Sequence, residues 1–141
     1  YINEKGEKQT PIVIHRAILG SLDRFIAFLL EETKGALPLW LSPVEVNIIP
    51  VNNEYHLDYA KEILNKLKKE KIRVTLDDRD EKLSYKMRES QIKKIPYTLI
   101  LGDKELEEKS VSYRMYSSKD TTTLKTDDFV KQVKKEIEDK K

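Results

Sequence analysis

From Val44 to Lys141 the chain alternates short apolar runs with stretches of helical periodicity, and this alternation limits the fold more than any other feature. Val44–Val51 reads as a strand. Tyr55–Lys71 sets Leu57, Ala60, Ile63, Leu64 and Leu67 on one helical face, with Lys and Glu opposite and Asn52 or Asn53 available as the N-cap. Ile72–Leu76 is a second strand, and Glu81–Lys94 a second helix with Asp80 as cap and Leu83, Met87 and Ile92 turned inward. Tyr97–Leu101 is almost wholly apolar, the mark of a strand buried on both faces. Gly102–Glu105 forms a turn. Ser110–Tyr116 sets Val111, Tyr113 and Met115 against Ser112, Arg114 and Tyr116, a strand with one wet face. Thr121–Leu124 is a short β-prone run, and Lys125–Asp139 a terminal helix with Phe129, Val130, Val133 and Ile137 on its inner face. Two β-α-β units imply right-handed crossovers and a parallel core, to which the later hairpin adds antiparallel strands. The expectation is an α/β domain: a mixed five-stranded sheet with a parallel core and three helices.

The stretch before it reads differently. Residues 1–10 are polar, with Gly6 at a turn or hairpin tip. Pro11–Arg16 alternates as a short strand and passes through Gly20-Ser21 into a helix, Ile18–Thr33, with Leu22, Phe25, Ile26 and Leu29 as its apolar face and Gly35 as its C′ residue. His15 and Arg24 could converge where strand meets helix; the alternative is a buried corner with a satisfied histidine and a surface arginine. Pro38 and Pro43 bracket an extended connector whose Trp40 should pack at a seam. The division is therefore residues 1–37, connector 38–43 and domain 44–141, and the absence of an initiator Met suggests a chain cut from something longer.

Composition excludes more than it selects. There is no cysteine, so no disulfide, thiolate metal site or cysteine nucleophile. No apolar run is long enough for a membrane span, and the first residues do not resemble a signal peptide. The net charge of +2 does not announce nucleic acid, but between Lys66 and Lys94 basic residues outnumber acidic ones by 11 to 6. No nucleotide-binding glycine loop or nucleophile elbow is present.

In open parallel sheets ligands sit beyond the carboxyl ends of the strands, here Asn52–Tyr55, Asp77–Glu81 and Gly102–Glu105. Asp77, Asp78 and Asp80 invite a magnesium reading, which Arg79 and Lys82 oppose. His56 reads as a surface residue on a first helical turn. Lys82, Lys86, Lys93, Lys94, Arg79 and Arg88 gather cations on one helix and its preceding loop, or form a merely solvated face. Arg88, Arg114, Glu105, Tyr85, Tyr97 and Tyr116 supply donor forks, an acceptor and stacking surfaces, the tools for reading unpaired RNA bases.

HRAILGSLDRF resembles the third class-defining motif of class II aminoacyl-tRNA synthetases in its threonyl-tRNA synthetase form. GALPLWLSPVEVNIIPV is similar to the connector and strand that follow it, and IRVTLDDRDEKLSYKMRESQIKKIPYTLILGDKELEEKSVSYRMY to the anticodon-binding domain of that family. The resemblance implies that residues 1–37 are the end of a catalytic domain, with His15 a zinc ligand, Arg24 on ATP and Ser21 in the same wall, and that Asp80, Arg88, Glu105 and Arg114 contact anticodon bases. At position 80 the family usually has Asn, whereas Asp80 is acceptor-only when ionised. It further implies a cytoplasmic homodimer that threonylates tRNA with zinc, ATP and Mg, through a core whose remaining zinc ligands and first two motifs do not occur here, so that this chain alone is inactive and holds no cofactor. The alternative is a non-catalytic α/β accessory or protein-interaction domain of a synthetase paralogue; a small flavodoxin-like enzyme lacks its phosphate loop.

Overall fold

In the computed structural model, which describes residues 1–118 and 120–140, the apolar runs after Pro43 line up as one sheet. Strands β1 (Val46–Pro50), β2 (Val74–Leu76), β3 (Tyr97–Leu101), β4 (Ser110–Met115) and β5 (Thr121–Lys125) lie in the order β2-β1-β3-β4-β5. β1 runs parallel to β2 and β3, and β4 is antiparallel to β3 and β5. Helices α1 (Leu22–Glu32), α2 (Asn53–Lys69), α3 (Leu83–Ile92), α4 (Asp103–Glu108) and α5 (Thr126–Glu138) complete the order. The expected mixed sheet with a parallel core is present, and the apolar run Tyr97–Leu101 is its central strand. The short α4 stands where a turn was expected; Glu105 folds back to accept the Gly102 N–H at 2.9 Å, which starts a helical turn.

Period-two alternation sorts the two faces. Val46, Ile48, Tyr97, Leu99, Leu101, Val111 and Tyr113 form one side of the core and meet Tyr59, Ile63 and Leu67 of α2 and Phe129 and Val133 of α5. Tyr97, Tyr113 and Phe129 pack with ring centroids 5.2–5.6 Å apart. Register places Thr75, Asn47, Thr98, Arg114 and Thr121 in one row across all five strands on the opposite face. α3 covers the β1 end of that row, where Asn47 donates to Ser90 at 2.5 Å.

Helix ends use an uncommon device. Lys34, Lys71 and Lys94 each follow a helix with φ between 52° and 61°. Each donates to the carbonyl three residues back, and the next residue bonds five back: Gly35 to Leu30, Ile72 to Leu67, Ile95 to Ser90. These are Schellman closures with lysine at C′, where glycine is the unstrained choice. The C′ residue of α1 is thus Lys34, with Gly35 one position beyond.

Several expectations are corrected. Residues 11–16 form no strand: nothing among the described residues pairs with them, and a strand exists only through its partners. Helix α1 begins at Leu22, because Gly20 has a φ of 73° and Ser21 caps the Arg24 N–H. Leu39–Leu41 forms a 3₁₀ turn between the two prolines, since Pro38 stands before it and Pro43 after it and neither interrupts it. Leu39 is the buried residue there, while Trp40 is half-buried under the Lys140 ammonium at 5.9 Å. Arg73 staples this connector, donating to the carbonyls of Ser42 at 2.8 Å and Trp40 at 2.9 Å and to the buried Glu45 carboxylate at 2.6 Å. Asp80 caps no helix, because α3 starts two residues later than its periodicity suggests, with Lys82 in the cap position. Ile92 is 68% exposed, and the inward residues of α3 are Lys86, Met87 and Ser90.

Candidate nucleic-acid interface

α3 follows β2 and leads into β3, so it runs antiparallel to the parallel strands. The Asp77–Lys82 loop and α4 therefore share one end of the sheet, and the C-terminal turn of α3 lies at the other. Beyond the part of the sheet that α3 covers, β4 and β5 present Ser112, Arg114, Thr121 and Thr123.

Glu105 and Arg114 meet this face by different means. Glu105 is half-buried on α4; one oxygen takes the Gly102 N–H and the other the Ser112 hydroxyl at 2.5 Å. Burial pushes its carboxyl up, but these two donors outweigh burial and hold it below the usual value of 4.5. It is an ionised acceptor at neutral pH with two of its four lone-pair positions unused. Arg114 stands two residues along β4 from Ser112. One terminal nitrogen reaches the Thr121 hydroxyl at 3.5 Å, and its buried Nε has no acceptor. The donors of this guanidinium that can meet a group outside the chain are its terminal nitrogens. Side by side stand a fixed acceptor and an under-used donor fork.

Asp80 is exposed on the loop that follows β2. That loop is held rigidly: Asn53 donates to the Asp78 carbonyl at 2.7 Å, Lys86 to the Asp77 carbonyl at 3.2 Å, and Arg79 forks onto Asp77 at 2.7 and 2.8 Å. Arg79 also pairs with Glu89 and lies 5.9 Å from the Tyr85 ring centroid. The fork from Arg79 holds the Asp77 carboxyl below its ordinary value against burial. Arg88 is exposed on α3, and no hydrogen bond or ion pair holds its guanidinium among the described residues.

Of the expected cationic face, Lys86 is only 3% exposed, Arg79 is consumed by carboxylates and Lys94 reaches back to the Lys34 carbonyl. Among the described residues Arg88 is the arginine of that set without a hydrogen bond or ion pair. Tyr97 is no stacking surface: it is buried, its hydroxyl donates to Glu136 at 2.7 Å, and burial raises its pKa. His56 is not a surface residue either. Its Nδ1 accepts the Asn52 N–H at 3.1 Å, so Nε2 carries the proton and donates to Asp103 at 2.9 Å, fixing α4 to the start of α2. Sequence reasoning missed Ser112 as the residue that orients Glu105; the period-two alternation of β4, which places it on the face of Arg114, was the available signal.

His15, Ser21 and Arg24 are all exposed, and no hydrogen bond or ion pair joins His15 to Arg24 among the described residues. Among those residues no three His, Asp or Glu side chains cluster as a metal site, so the donors a zinc ion needs are not assembled around His15. No helix is long and apolar enough to cross a membrane.

Residues 45–136 match the family model described as the anticodon binding domain. The chain is 53% identical over 141 residues to the threonine–tRNA ligase of Oceanobacillus iheyensis, covering all of this chain and 22% of that protein. It is 54% identical over 137 residues to that of Listeria monocytogenes, covering 97% of this chain and 21% of the relative. The chain thus spans about a fifth of the length of the curated relatives it matches. The crystal structure of the RNA binding domain of threonyl-tRNA synthetase from Cryptosporidium parvum superposes with a TM-score of 0.79 at 30% identity, over 84% of this chain and 30% of that one. The chain belongs to the anticodon binding domain family, and its homologues over its whole length are threonine–tRNA ligases.

Proposed function

We propose that this chain recognises the anticodon of threonine tRNA, as part of an ATP-dependent threonine–tRNA ligase whose catalytic core lies outside it. The observation that carries the reading is that Ser112 orients the Glu105 carboxylate while Arg114, two residues along β4, makes one long hydrogen bond through a terminal nitrogen, to Thr121. Together Glu105 and Arg114 complement a base edge that carries both donors and acceptors. Arg88 on α3 and Asp80 on its clamped loop flank that pair.

In this reading residues 44–141 are the anticodon module, 38–43 the connector and 1–37 the end of the catalytic domain. Ser21 and Arg24 then face ATP and its Mg, and His15 completes a zinc site with ligands from the rest of the enzyme. The whole enzyme is a cytoplasmic homodimer. The apolar residues of 11–30 that are left exposed among the described residues fit a segment made to pack inside a larger domain.

The test is titration of the chain with a threonine-tRNA anticodon stem-loop and with loops carrying substitutions in the triplet. Binding weakens with salt through released counterions. Each triplet substitution costs about 1–3 kcal/mol on the scale of good base contacts. Equal affinity for all loops would overturn the reading and favour an accessory domain that does not read sequence.

A further inference from the structure

The lower end of the same face holds a second feature, which shares Arg88 with the reading above and otherwise uses none of its residues. Between the C-terminal half of α3 and the end of β4 lies a groove of about 540 Å³ lined by Arg88, Gln91, Ile92, Tyr116, Ser117 and Ser118. The groove is open to solvent and lined mostly by polar residues, with two exposed apolar surfaces in it: Ile92 is 68% exposed and Tyr116 40%. Tyr116 is held in place by its backbone, whose N–H donates to the Pro96 carbonyl at 2.9 Å. Tyr116 directly follows β4, two residues beyond Arg114, and this bond extends the β3–β4 pairing by one step, so the groove begins where the strand carrying Ser112 and Arg114 ends. Arg88 and Ile92 are four residues apart on α3 and share its outer face. The Arg88 guanidinium, which no hydrogen bond or ion pair holds among the described residues, thus stands on the same helical face as the exposed Ile92 side chain.

We propose that this groove is a stacking site for one unpaired nucleobase flanking the anticodon triplet, with the base against Tyr116 and Ile92 and its phosphate on Arg88. The inference rests on the anticodon reading above and extends it to a nucleotide outside the triplet. An aromatic ring, an aliphatic side chain and an exposed arginine suit a base of any identity and its phosphate; the groove contributes affinity without reading sequence. Its continuity with the base-reading pair selects a nucleotide of the same loop as the occupant.

The test places 2-aminopurine at each of the two loop positions flanking the triplet of a threonine-tRNA stem-loop, with the 141-residue chain as titrant. One position should be quenched on binding. Tyr116→Ala and Ile92→Ser, both at exposed positions, should each abolish that quenching. Tyr116→Ala should weaken binding about fivefold to a hundredfold, equally for cognate and triplet-substituted loops. Tyr116→Phe should keep both quenching and affinity. Arg114→Ala separates the two proposals. If it weakens cognate binding while Tyr116→Ala changes neither fluorescence nor affinity, the stacking site is wrong and the anticodon reading stands. If neither variant has an effect, the anticodon reading fails and the stacking site with it.

Discussion

Residues 11–30 and residues 46–133 carry similar apolar side chains and dispose of them in opposite ways. Ile48, Leu99, Phe129 and Val133 are fully buried, whereas Ile12 is 92% exposed, Ile14 79% and Leu22 71%. Both stretches show clean periodicity. The difference lies in what surrounds them: every strand from β1 to β5 has a hydrogen-bonded neighbour, and α2 and α5 close one face of the sheet. Residues 11–16 have no strand beside them among the described residues, and no residue of α1 is buried. Periodicity specifies which face is apolar, but burial needs a second surface. One region contains its second surface, and among the described residues the other has none.

The sharpest way to break this comparison is to truncate a side chain in each region. Phe129→Ala removes the ring shared by Tyr97 and Tyr113 and should cost about 3–5 kcal/mol in urea unfolding. Leu22→Ala should cost less than about 0.5 kcal/mol in the same titration. Similar losses at both sites would place α1 inside the cooperative core. Next in size is the staple that joins connector to domain. Arg73→Met leaves the Glu45 carboxylate buried without its cation and should cost about 3 kcal/mol, with much of the loss recovered when Glu45→Leu is added. A stability within experimental error of the parent would mean that the connector is not fastened there.

Acid should unfold the α/β region through its own carboxylates. Glu105 and Asp77 both titrate below their ordinary values in the folded chain. Their stabilisation is present above the unfolded-state values and is lost as pH falls through the lower folded ones. Urea midpoints should therefore fall between about pH 5 and pH 3, and Glu105→Gln should flatten that fall. An unchanged slope in this variant would deny Glu105 its two donors. The smallest effect is at the helix ends. Lys71→Gly relieves a left-handed lysine and should raise stability by about 0.5–1 kcal/mol. Lys34→Gly, made at the same structural position of α1, should leave the main transition unmoved.

What could be read from the residues alone follows the same division. The sheet, its central strand Tyr97–Leu101 and the inner face of α5 were legible because their periodicities are satisfied inside the chain. Pro11–Arg16 misled because alternation marks two faces but does not supply a neighbouring strand, and among the described residues none pairs with it. His56 and Lys86 were misread as surface groups, since a polar residue on a helix looks solvated until the loop packed over it is known. Glu105 was legible as an acceptor, but the turn reading hid the helix that aims it and Ser112 that holds it. Tyr97 was offered for stacking as a tyrosine near the cationic helix; Tyr113 and Phe129, far along the chain, enclose its ring, and Glu136 accepts from its hydroxyl.

The central claim is that Arg114 reads a base, and a double-mutant cycle tests it most directly. Affinities are measured for the chain and for Arg114→Ala, each against the threonine-tRNA anticodon stem-loop and a loop with one altered triplet base. The expected result is a loss of about 1–3 kcal/mol on the cognate loop and almost none on the altered one. Equal losses on both loops would reduce Arg114 to a phosphate contact and contradict the account.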